Sequence, residues 1–429
     1  MSAFANRQEA TPEVRDQVLS VVRAAKQAAR VLAASTTEQR NHGLRAIAEA
    51  LRAARAEILL ANALDVDAAR RNGVSGPMIE RLTLTDARLD EMAASVDAVI
   101  PLPDPLGAVL KAWRQPNGLE ISKIRVPIGV IGIIYESRPN VTSDCAILCL
   151  KSANAVVLRG GSESFRSNQA IALALQGALA KAGLPAAAIS LIPVADRSGV
   201  DAMLRMDQFI DVIIPRGGEA LIRAVVEQST IPVLKHAKGV CHVYVDEAAD
   251  LAMGEAIALN AKCQRPATCN AMETLLVHER IASVFMPKVL AALQSAGVEI
   301  RGCERTQALG RGVKPATEED WSTEYLELIL SVKIVDSFDE AVAHIGRYGS
   351  AHSDAIITKD QARAAQFLRE VDSACVYVNA STRFTDGFQF GLGAEIGIST
   401  DKLHARGPMG LEELTTYKYT VVGNGQLRQ

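Results

Sequence analysis

Apolar residues recur at helical spacing in the first part of the chain. We expect helices over residues 11–100, where the spacing matches a 3.6-residue period and polar residues occupy the outer positions. The string STTE, residues 35–38, has the form of a capping box at a helix start. This segment is interpreted as scaffold, and one apolar face of it comprises Ile47, Leu51, Ala54 and Ile58.

From Ile124 the pattern changes to short apolar runs that alternate with helical stretches. Such runs, bounded by Gly and Pro, are typical of buried strands in βαβ units with parallel strands. A second unit of the same kind extends from about residue 237 to about residue 385. The pattern predicts an α/β protein with largely parallel sheets, and the first runs are IGVIGIIY, AVVLRGG, ISLIP, IDVIIPRGG and CHVYVD.

Two other segments alternate apolar and polar residues. Residues 108–126 contain an Asn117-Gly118 turn between extended stretches, which predicts a β-hairpin that leaves the main body. The string TTYKYTVV near the C-terminus alternates in the same way. Because unpaired strand edges attract partners, we expect these segments to join subunits of a homo-oligomer.

Composition excludes several classes of partner. The 429 residues include 46 basic and 49 acidic side chains, and no apolar run approaches the roughly 20 residues that span a bilayer. Neither nucleic acid nor a membrane is therefore an expected partner. Seven cysteines at irregular spacing, without a charged and apolar leader, indicate a protein of the reducing cytoplasm.

Two cysteines lie close together in the string AKCQRPATCN. Polar residues surround Cys269 and an apolar run follows it, which places this thiol on a loop that enters a buried element. A nearby cation such as Arg265 can lower a thiol pKa and activate it as a nucleophile. Cys263 is the alternative nucleophile, and either thiol can instead be a small buried hydrophobe. The spacing to His278 does not match a zinc site, so no metal is expected.

Paired glycines follow two of the predicted strands. VVLRGGSES and VIIPRGGEA each place two glycines between a strand and a helix, where free N–H groups can bind phosphate. An ordinary strand-to-helix turn explains either string equally well. GLGAEIG, residues 391–397, differs from a dinucleotide fingerprint because its third glycine is one position late and no βαβ unit follows.

Taken in order, these segments resemble the aldehyde dehydrogenase superfamily over about residues 30–420. AKCQRPATCN is similar to its nucleophile loop, NAVVLRGGSES to its adenosine-ribose segment and DVIIPRGGEA to its pyrophosphate turn. TEYLELILSVKIVDSFDEAVAHI is similar to the segment whose acidic residue, here Glu324, holds the nicotinamide ribose.

Three unusual strings are closer to one branch of the superfamily. They are IYESRPNVTSD, VNASTRFTDGFQFGLGAEIGIST and HARGPMGLEELTTYKY. The branch they resemble reduces L-glutamyl 5-phosphate to L-glutamate 5-semialdehyde and phosphate, the second step of proline biosynthesis. The resemblance implies NADPH as cofactor and the glutamate kinase that makes the acyl phosphate as a partner.

The resemblance also implies a division into domains. A Rossmann-type cofactor domain comprises residues 1–107 and 127–236, and an α/β catalytic domain with the nucleophile comprises residues 237–400. A small β oligomerisation element comprises residues 108–126 and 404–429. The ligand site is expected in the cleft between the two larger domains.

Roles for single residues follow from the same resemblance. Cys269 forms a thioester, and the Asn140 side chain stabilises the oxyanion. Ser381, Thr382 and Arg383 are expected at the substrate's α-carboxylate and α-ammonium, and Arg138 and Arg265 at its phosphate, although both arginines also suit structural ion pairs. The cofactor residues are Arg159 and Ser162, placed to meet a 2′-phosphate, with Gly160, Gly161, Arg216, Gly217, Gly218 and Glu324.

One departure from the wider superfamily indicates the direction of the reaction. Hydrolytic members carry Leu-Glu-Leu-Gly-Gly, whose Glu activates water, whereas this chain reads VLKHAKGV with Lys235 and His236. Loss of that base fits an enzyme that reduces an activated acid. Glu219 and Glu247 remain alternative candidates for this base. Two other functions also remain open: a hydrolytic or CoA-acylating aldehyde dehydrogenase, and a non-catalytic relative that binds nucleotide.

Overall fold

The computed structural model describes residues 9–235 and 238–428. Its helices are α1 (Pro12–Ala33), α2 (Thr37–Ala53), α3 (Arg55–Arg71), α4 (Gly76–Leu82), α5 (Asp86–Val99), α6 (Val141–Lys151), α7 (Phe165–Lys181), α8 (Ser198–Met203), α9 (Glu219–Gln228), α10 (Leu251–Cys263), α11 (Glu279–Ser295), α12 (Glu304–Leu309), α13 (Phe338–Tyr348) and α14 (Gln361–Glu370). The first sheet-forming strands are β1 (Val109–Arg114), β2 (Glu120–Pro127), β3 (Val130–Tyr135), β4 (Ala155–Arg159), β5 (Ile189–Leu191), β6 (Val212–Arg216), β7 (Cys241–Val245) and β8 (Met272–His278). The remaining strands are β9 (Glu299–Gly302), β10 (Lys314–Pro315), β11 (Ile329–Val335), β12 (Ser353–Ile357), β13 (Cys375–Val378), β14 (Ile398–Ser399), β15 (Gly407–Pro408) and β16 (Thr415–Val422). The predicted α/β class is confirmed.

The helical scaffold forms as predicted, with two local differences. The capping box begins one residue later than expected, because Thr36 and Gln39 exchange side-chain and backbone hydrogen bonds at the start of α2. The predicted apolar face is broken at Ala54, where α2 ends and α3 begins, yet Ile47 and Ile58 are buried in the same core. The periodicity thus predicted the burial of these residues correctly but missed the break between α2 and α3.

The first parallel sheet has the strand order β5-β4-β3-β6. Its central strand β3 is buried along its whole length, in keeping with helices on both faces of a parallel sheet. Strand order reverses beside β3, so the carboxyl ends of β3 and β6 flank a crevice of the kind that binds nucleotides. The glycine pairs at residues 160–161 and 217–218 follow β4 and β6 at this edge.

The second parallel sheet has the order β10-β9-β11-β8-β7-β12-β13. Strands β7, β8 and β11 are neighbours and run in the same direction, so the segments just before them meet at one edge. Gly239 precedes β7, Cys269 precedes β8 and Glu324 lies in the loop before β11. This arrangement brings three distant parts of the sequence together around the thiol.

The chain returns to the first core after leaving the second sheet. Ile396, which the predicted boundary assigns to the catalytic domain, packs in the same cluster as Ile131 and Ile133 of β3. Residues 405–414 contribute to that cluster as well, through Ala405, Met409, Leu411 and Leu414.

The third sheet is antiparallel, with the order β1-β2-β16. The predicted hairpin forms, with Gly118 at positive φ in its turn, and the C-terminal strand pairs with β2 of the same chain from Thr415 to Val422. The outer edges of β1 and β16 have no partner strand within residues 9–235 and 238–428. Tyr419 and Val421 on β16 are exposed, and the predicted role of this sheet in an oligomer stays a prediction.

Candidate active site

Cys269 lies on the turn between α10 and β8, half-buried as its sequence context predicts. Burial raises the pKa of this thiol to about 11, while the nearby Arg216 guanidinium acts in the opposite direction. The carboxylates of Glu324 and Glu395 raise the thiol pKa further because they disfavour a second negative charge. The thiol is therefore protonated at neutral pH until something in the site removes its proton.

Gly239 holds the backbone of the nucleophile loop in place. A Cβ atom at this position would lie 2.6 Å from the Cα of Cys269 and closer still to its carbonyl oxygen, so only glycine fits. The Gly239 N–H donates a hydrogen bond of 2.8 Å to Oε1 of Glu324. This glycine joins the thiol to the predicted cofactor residue, and the sequence patterns did not single it out.

The polar loop that follows β13 supports the nucleophile loop. The Thr382 hydroxyl donates to the Asn270 carbonyl at 2.7 Å, and the Asn270 amide donates to the Thr385 carbonyl at 2.9 Å. Ser381 is also buried, and its Oγ accepts the N–H of Arg383. These contacts tie the Thr382 hydroxyl to the loop of Cys269, and the predicted contact of Ser381, Thr382 and Arg383 with the substrate stays a prediction.

Two other thiols lie near the nucleophile. Cys241 is buried behind the loop, where its Sγ donates to the carbonyl oxygen of Cys269 at 3.3 Å. Cys263, the alternative nucleophile, ends α10, and burial raises its pKa. Arg216 lowers the pKa of Cys269, whereas the cation that lowers the pKa of Cys263 is Lys262, which is paired with Glu273.

Arginines from several elements lie near the loop that carries Cys269, and Arg138 is within electrostatic reach of its thiol. A cleft of about 530 Å³ is lined by Arg81 of α4 and by Arg138 and Arg265, both predicted to bind phosphate. Burial lowers the pKa of Arg138, and the like charges of Arg81, Arg216 and Arg265 lower it further. Within residues 9–235 and 238–428, none of these four guanidinium groups forms an ion pair.

Arg216 points away from the glycine turn that it precedes. Its guanidinium packs against Gly397, where an added Cβ would lie 2.9 Å from the Arg216 Cζ. From there it acts on the charges of Cys269, Glu395 and Asp144. The structure thus places this predicted cofactor residue beside the thiol. Arg383, which donates to Gln264 at 2.9 Å, also lies within electrostatic reach of the thiol.

Asn140 lines the same cleft at the start of α6. One of its amide hydrogens is donated to Oδ2 of Asp144 at 2.8 Å, which leaves the other for a ligand. Burial raises the pKa of Asp144 to about 6, although the Asn140 hydrogen bond and Arg216 lower it. The predicted oxyanion donor is therefore held in one orientation by a carboxyl group.

A second cleft, of about 700 Å³, lies at the carboxyl ends of the first sheet. Arg159, Gly161 and Ser162 line it as predicted, and Ser137 and Arg197 also contribute. Gly160 is absent from the lining: a Cβ there would lie 3.0 Å from the Tyr135 ring, so this glycine is needed for packing. The volume and position of this cleft suit a dinucleotide.

The Arg159 side chain is held by backbone carbonyls. Its guanidinium donates to the carbonyl oxygens of Gly160, Ala195 and Asp196, at 2.6, 2.9 and 2.8 Å. Arg159 thereby ties the glycine turn to the loop before α8, and the predicted contact with a 2′-phosphate stays a prediction. Arg197 is exposed on the same wall and was not identified from the sequence.

The glycine turn before α9 already holds an anionic group. The Gly218 N–H donates to Oε2 of Glu136 at 3.0 Å, and a Cβ at Gly217 would lie 2.9 Å from the Glu136 carboxyl carbon. Burial raises the pKa of Glu136. The Gly218 N–H therefore binds a carboxylate of the protein itself, and the predicted contact of this turn with a pyrophosphate stays a prediction.

The structure describes some of the residues in the segment that lacks the hydrolytic base. His236 lies outside the described residues, and the Lys235 N–H donates to Asp401 at 2.8 Å. Of the alternative bases, Glu247 is ion-paired with Arg280 beyond the far end of β7, whereas Glu219 lies within electrostatic reach of Glu324. Glu395, which none of the sequence arguments considered, interacts with Cys269 itself.

Residues 9–235 and 238–428 contain no group of three or more His, Cys, Asp or Glu side chains arranged to hold a metal ion. In the same ranges, no helix combines the length and apolar character needed to cross a membrane.

Comparison with known proteins places the chain in a family. A model described as the aldehyde dehydrogenase family matches residues 4–320. The gamma-glutamyl phosphate reductase of Heliobacterium modesticaldum is 56% identical over 404 residues, which cover 94% of this chain and 97% of the relative. That of Thermodesulfovibrio yellowstonii is 54% identical over 417 residues, which cover 97% and 100%.

Solved structures agree with the sequence comparison. The crystal structure of gamma-glutamyl phosphate reductase from Thermotoga maritima matches with a TM-score of 0.95 and 50% identity, covering 96% of this chain and all of that one. An acetylating aldehyde dehydrogenase from Geobacillus thermoglucosidasius shares the fold at 19% identity, with a TM-score of 0.69 and coverage of 97% and 98%. The resemblance and the fold predicted from the sequence are confirmed. The chain belongs to the aldehyde dehydrogenase family, within the branch of the gamma-glutamyl phosphate reductases.

Proposed function

We propose that this oxidoreductase reduces L-glutamyl 5-phosphate to L-glutamate 5-semialdehyde and phosphate with NADPH, through a thioester on Cys269. The observation that carries this proposal is the set of arginines that line the cleft beside the Cys269 loop and that form no ion pair within residues 9–235 and 238–428. The names of the relatives support the same substrate.

The arginine cleft suits the charge of an acyl phosphate. Glu80, Glu91 and Asp144 line this cleft together with Arg81, Arg138 and Arg265, which come from three separate segments. The positive charges of Arg81 and Arg265 disfavour the charged form of Arg138. Guanidinium groups bind phosphate through paired, charge-assisted hydrogen bonds, so a phosphoryl group would relieve this repulsion. A neutral aldehyde would gain nothing from the same groups. The site therefore favours a substrate that carries its own phosphate.

The chain's residues support acyl transfer to the thiol. The Cys269 thiolate attacks the substrate's carbonyl carbon, the C–S bond forms, and the bond to the phosphate oxygen breaks. The second amide hydrogen of Asn140 and the N–H of Cys269 are the proposed donors to the tetrahedral oxyanion. Arg383 is the proposed partner of the substrate α-carboxylate, since its guanidinium lies on the thiol side of the loop after β13.

The second cleft is the proposed cofactor site. Ser137, Ser162 and Arg197 would hold the adenosine end, and the turn at residues 217–218 would hold the pyrophosphate. Glu324 would contact the nicotinamide ribose from its position beside Gly239. When bound, NADPH supplies the hydride that reduces the thioester. The positive charges of Arg159 and Arg197 on this wall would favour a cofactor that carries a 2′-phosphate.

Further parts of the proposal concern organisation. They include the two-domain division described above, a homo-oligomer built through the β1-β2-β16 sheet, a cytoplasmic location, and supply of the labile acyl phosphate by a glutamate kinase. The three-stranded sheet supports the oligomer, because its two outer strand edges have no partner in the part of the chain that the structure describes.

The experiment that tests the function runs the reaction in reverse. Purified protein is mixed with glutamate 5-semialdehyde and NADP⁺, with and without inorganic phosphate, and absorbance of reduced nicotinamide is followed. We expect turnover that requires phosphate. Equal turnover without phosphate would indicate hydrolysis, turnover only with coenzyme A would indicate an acylating enzyme, and no turnover in any mixture would favour the non-catalytic reading.

Matched variants test the arginine cleft in the same assay. Arg138→Gln should raise the KM for phosphate about tenfold or more, because a hydrogen bond from a charged donor to an anion is worth roughly 1.5–3 kcal/mol. Arg280→Gln is the control, since Arg280 is exposed and paired with Glu247. An unchanged KM for phosphate in Arg138→Gln would remove this arginine from the phosphate site. Parallel assays with NAD⁺ test the preference for NADP⁺.

A further inference from the structure

A buried ion pair joins the two ends of the nucleophile loop. Lys262 lies on the last turn of α10 and Glu273 on β8, and the Lys262 ammonium donates to Oε2 of Glu273 at 2.6 Å. Both side chains are fully buried, and Cys269 lies between them in the sequence. Apolar residues of similar size often stabilise a buried position as well as an ion pair does, so stability alone does not account for this pair.

The second carboxylate oxygen of Glu273 has a partner outside the ion pair. Oε1 accepts the backbone N–H of Leu326 at 3.2 Å, although the two residues are 53 positions apart in the sequence. Each oxygen of this carboxylate therefore has one donor, a lysine ammonium on one side and a backbone N–H on the other. Through these two contacts, Glu273 connects the loop that carries Cys269 to the loop before β11.

The backbone of Leu326 is in a conformation that needs support. Its φ of 56° lies in the left-handed region, which is unfavourable for a residue other than glycine. The Leu326 side chain is exposed, so packing of that side chain does not hold the residue in place. Strained backbone persists only where the surroundings impose it. The hydrogen bond from the Leu326 N–H to the buried Glu273 carboxylate supplies such support.

Glu324 lies two residues before Leu326 in the same loop. Its Oε1 atom accepts the Gly239 N–H at 2.8 Å. No donor among the described residues reaches its Oε2 atom, which leaves that oxygen for a ligand. The position of Glu324 thus depends on two contacts, because the Gly239 N–H orients its carboxylate and the Leu326 N–H anchors the backbone beside it.

We propose that Glu273 is a positioning residue for the cofactor, and that it acts through the backbone of Leu326 to hold Glu324 where the nicotinamide ribose binds. This inference rests on the proposed function, which assigns Glu324 to that ribose. Lys262 orients the Glu273 carboxylate and keeps its second oxygen directed at the Leu326 N–H. A carboxylate suits this position because it offers an acceptor oxygen to each of two donors.

The test replaces Glu273 by glutamine, which keeps the shape of the side chain and removes one acceptor. An amide group has a single acceptor oxygen, and its NH₂ group only donates. The oxygen turns to the Lys262 ammonium, since a buried charge without a partner costs more than a backbone N–H without one. The NH₂ group then faces the Leu326 N–H, so the loop of Glu324 loses its anchor while the nucleophile loop stays closed.

Two ligands distinguish the ends of the cofactor site. NADPH carries the nicotinamide ribose, whereas adenosine 2′,5′-bisphosphate carries only the adenosine end, and calorimetry measures the Kd of each. In Glu273→Gln, the Kd for NADPH should rise about tenfold, the loss expected when a hydrogen bond to a charged group weakens. The Kd for adenosine 2′,5′-bisphosphate should stay unchanged. A rise in both values, or in neither, would overturn the inference.

Glu340→Gln is the matched control for this substitution. Glu340 accepts the Lys333 ammonium at 2.9 Å and the Asp336 N–H at 2.7 Å, so it has the same two kinds of donor as Glu273. None of these three residues lines either cleft. Both Kd values should match those of the wild type, and an equal loss of NADPH affinity in this control would remove the specific role of Glu273.

A double variant separates stability from cofactor binding. Lys262→Met combined with Glu273→Leu replaces the ion pair by apolar side chains, which should preserve most of the resistance to urea. The Leu326 N–H still lacks an acceptor in this variant, so the Kd for NADPH should stay raised. Wild-type values of both would mean that the pair serves stability alone, and would overturn the inference.

The double variant also carries the test if Glu273→Gln does not fold. Failure of the proposed function gives a different result from failure of this inference. A wild-type protein that binds NADPH but lacks phosphate-dependent turnover would contradict the proposed reaction, whereas the two Kd values would still report on Glu273.

Discussion

The backbone of Gly239 rests directly on that of Cys269, close enough that a side chain at Gly239 would overlap the nucleophile's own Cα and carbonyl group. The two residues precede neighbouring parallel strands, β7 and β8. Their contact fixes the height of the thiol above the sheet edge, and the Gly239 N–H fixes Glu324 at the same time. Gly239 therefore positions both Cys269, the proposed nucleophile, and Glu324, the proposed contact of the nicotinamide ribose.

Gly239→Ala should reduce turnover about 100-fold or more. The added methyl group forces the nucleophile loop to move, and a displacement of about 1 Å is sufficient for such a loss. The measurement is phosphate-dependent kcat/KM, with thermal unfolding as a check on folding. Gly346→Ala on α13 is the control, because a Cβ there meets no atom within 4 Å and alanine favours the helix. Equal kcat/KM in the two variants would contradict the role given to this contact.

Cys269→Ser should abolish turnover and leave binding of NADPH unchanged. A serine hydroxyl at this position has no group that would ionise it, whereas the cofactor cleft lies along the other sheet. Cofactor binding is measured by fluorescence titration and turnover by the reverse assay. Cys263→Ser is the matched control and should retain activity; the reverse pattern would identify Cys263 as the nucleophile.

Arg216→Gln should slow alkylation of Cys269 below pH 10. A cation beside a thiol stabilises the thiolate, so its loss raises the thiol pKa above the value of about 11 and lowers the reactive fraction at any lower pH. The check is the iodoacetamide rate between pH 7 and pH 11, with Arg280→Gln as control. An unchanged profile would show that this guanidinium does not act on the thiol.

Lys262→Met should destabilise the protein by about 3–5 kcal/mol. Lys262 and Glu273 form an ion pair of 2.6 Å with both side chains fully buried, and removing the cation leaves an unpaired buried carboxyl group. Urea unfolding of the single variant and of Lys262→Met with Glu273→Leu provides the comparison. The double variant should recover most of the loss, and equal stability of both variants would contradict this explanation.

The elements of the fold were largely predictable from the sequence, because strand and helix periods are local properties. The hairpin at residues 108–126 and the parallel sheets follow from turn residues and short apolar runs, whereas the order of the strands depends on long-range pairing. Side-chain direction is not local. Arg159 ends β4 and Arg216 ends β6 of the same sheet. The Arg159 guanidinium donates to backbone carbonyl groups, whereas the Arg216 guanidinium reaches Gly397, about 180 residues away.

Long-range contacts also explain what the sequence reasoning missed. Arg81 belongs to a scaffold helix, and only folding brings it to Arg138. Thr382 lies in a polar string typical of a surface loop, but its hydroxyl is buried against Asn270. Glu395 was passed over because its glycines do not match a nucleotide fingerprint, and no local pattern indicates that a carboxyl group lies near a distant thiol.

The chain passes between the two cores twice, once between Leu234 and Cys241 and again between Val378 and Ile396. A rigid body attached at two points can rotate about the line that joins them, but it cannot twist freely about any other axis. We therefore expect any relative motion of the two halves to be a rotation about the line that joins these two connections. Gly239 lies on the first connection and Glu395 on the second, so any such rotation would change the surroundings of Cys269 from both sides at once.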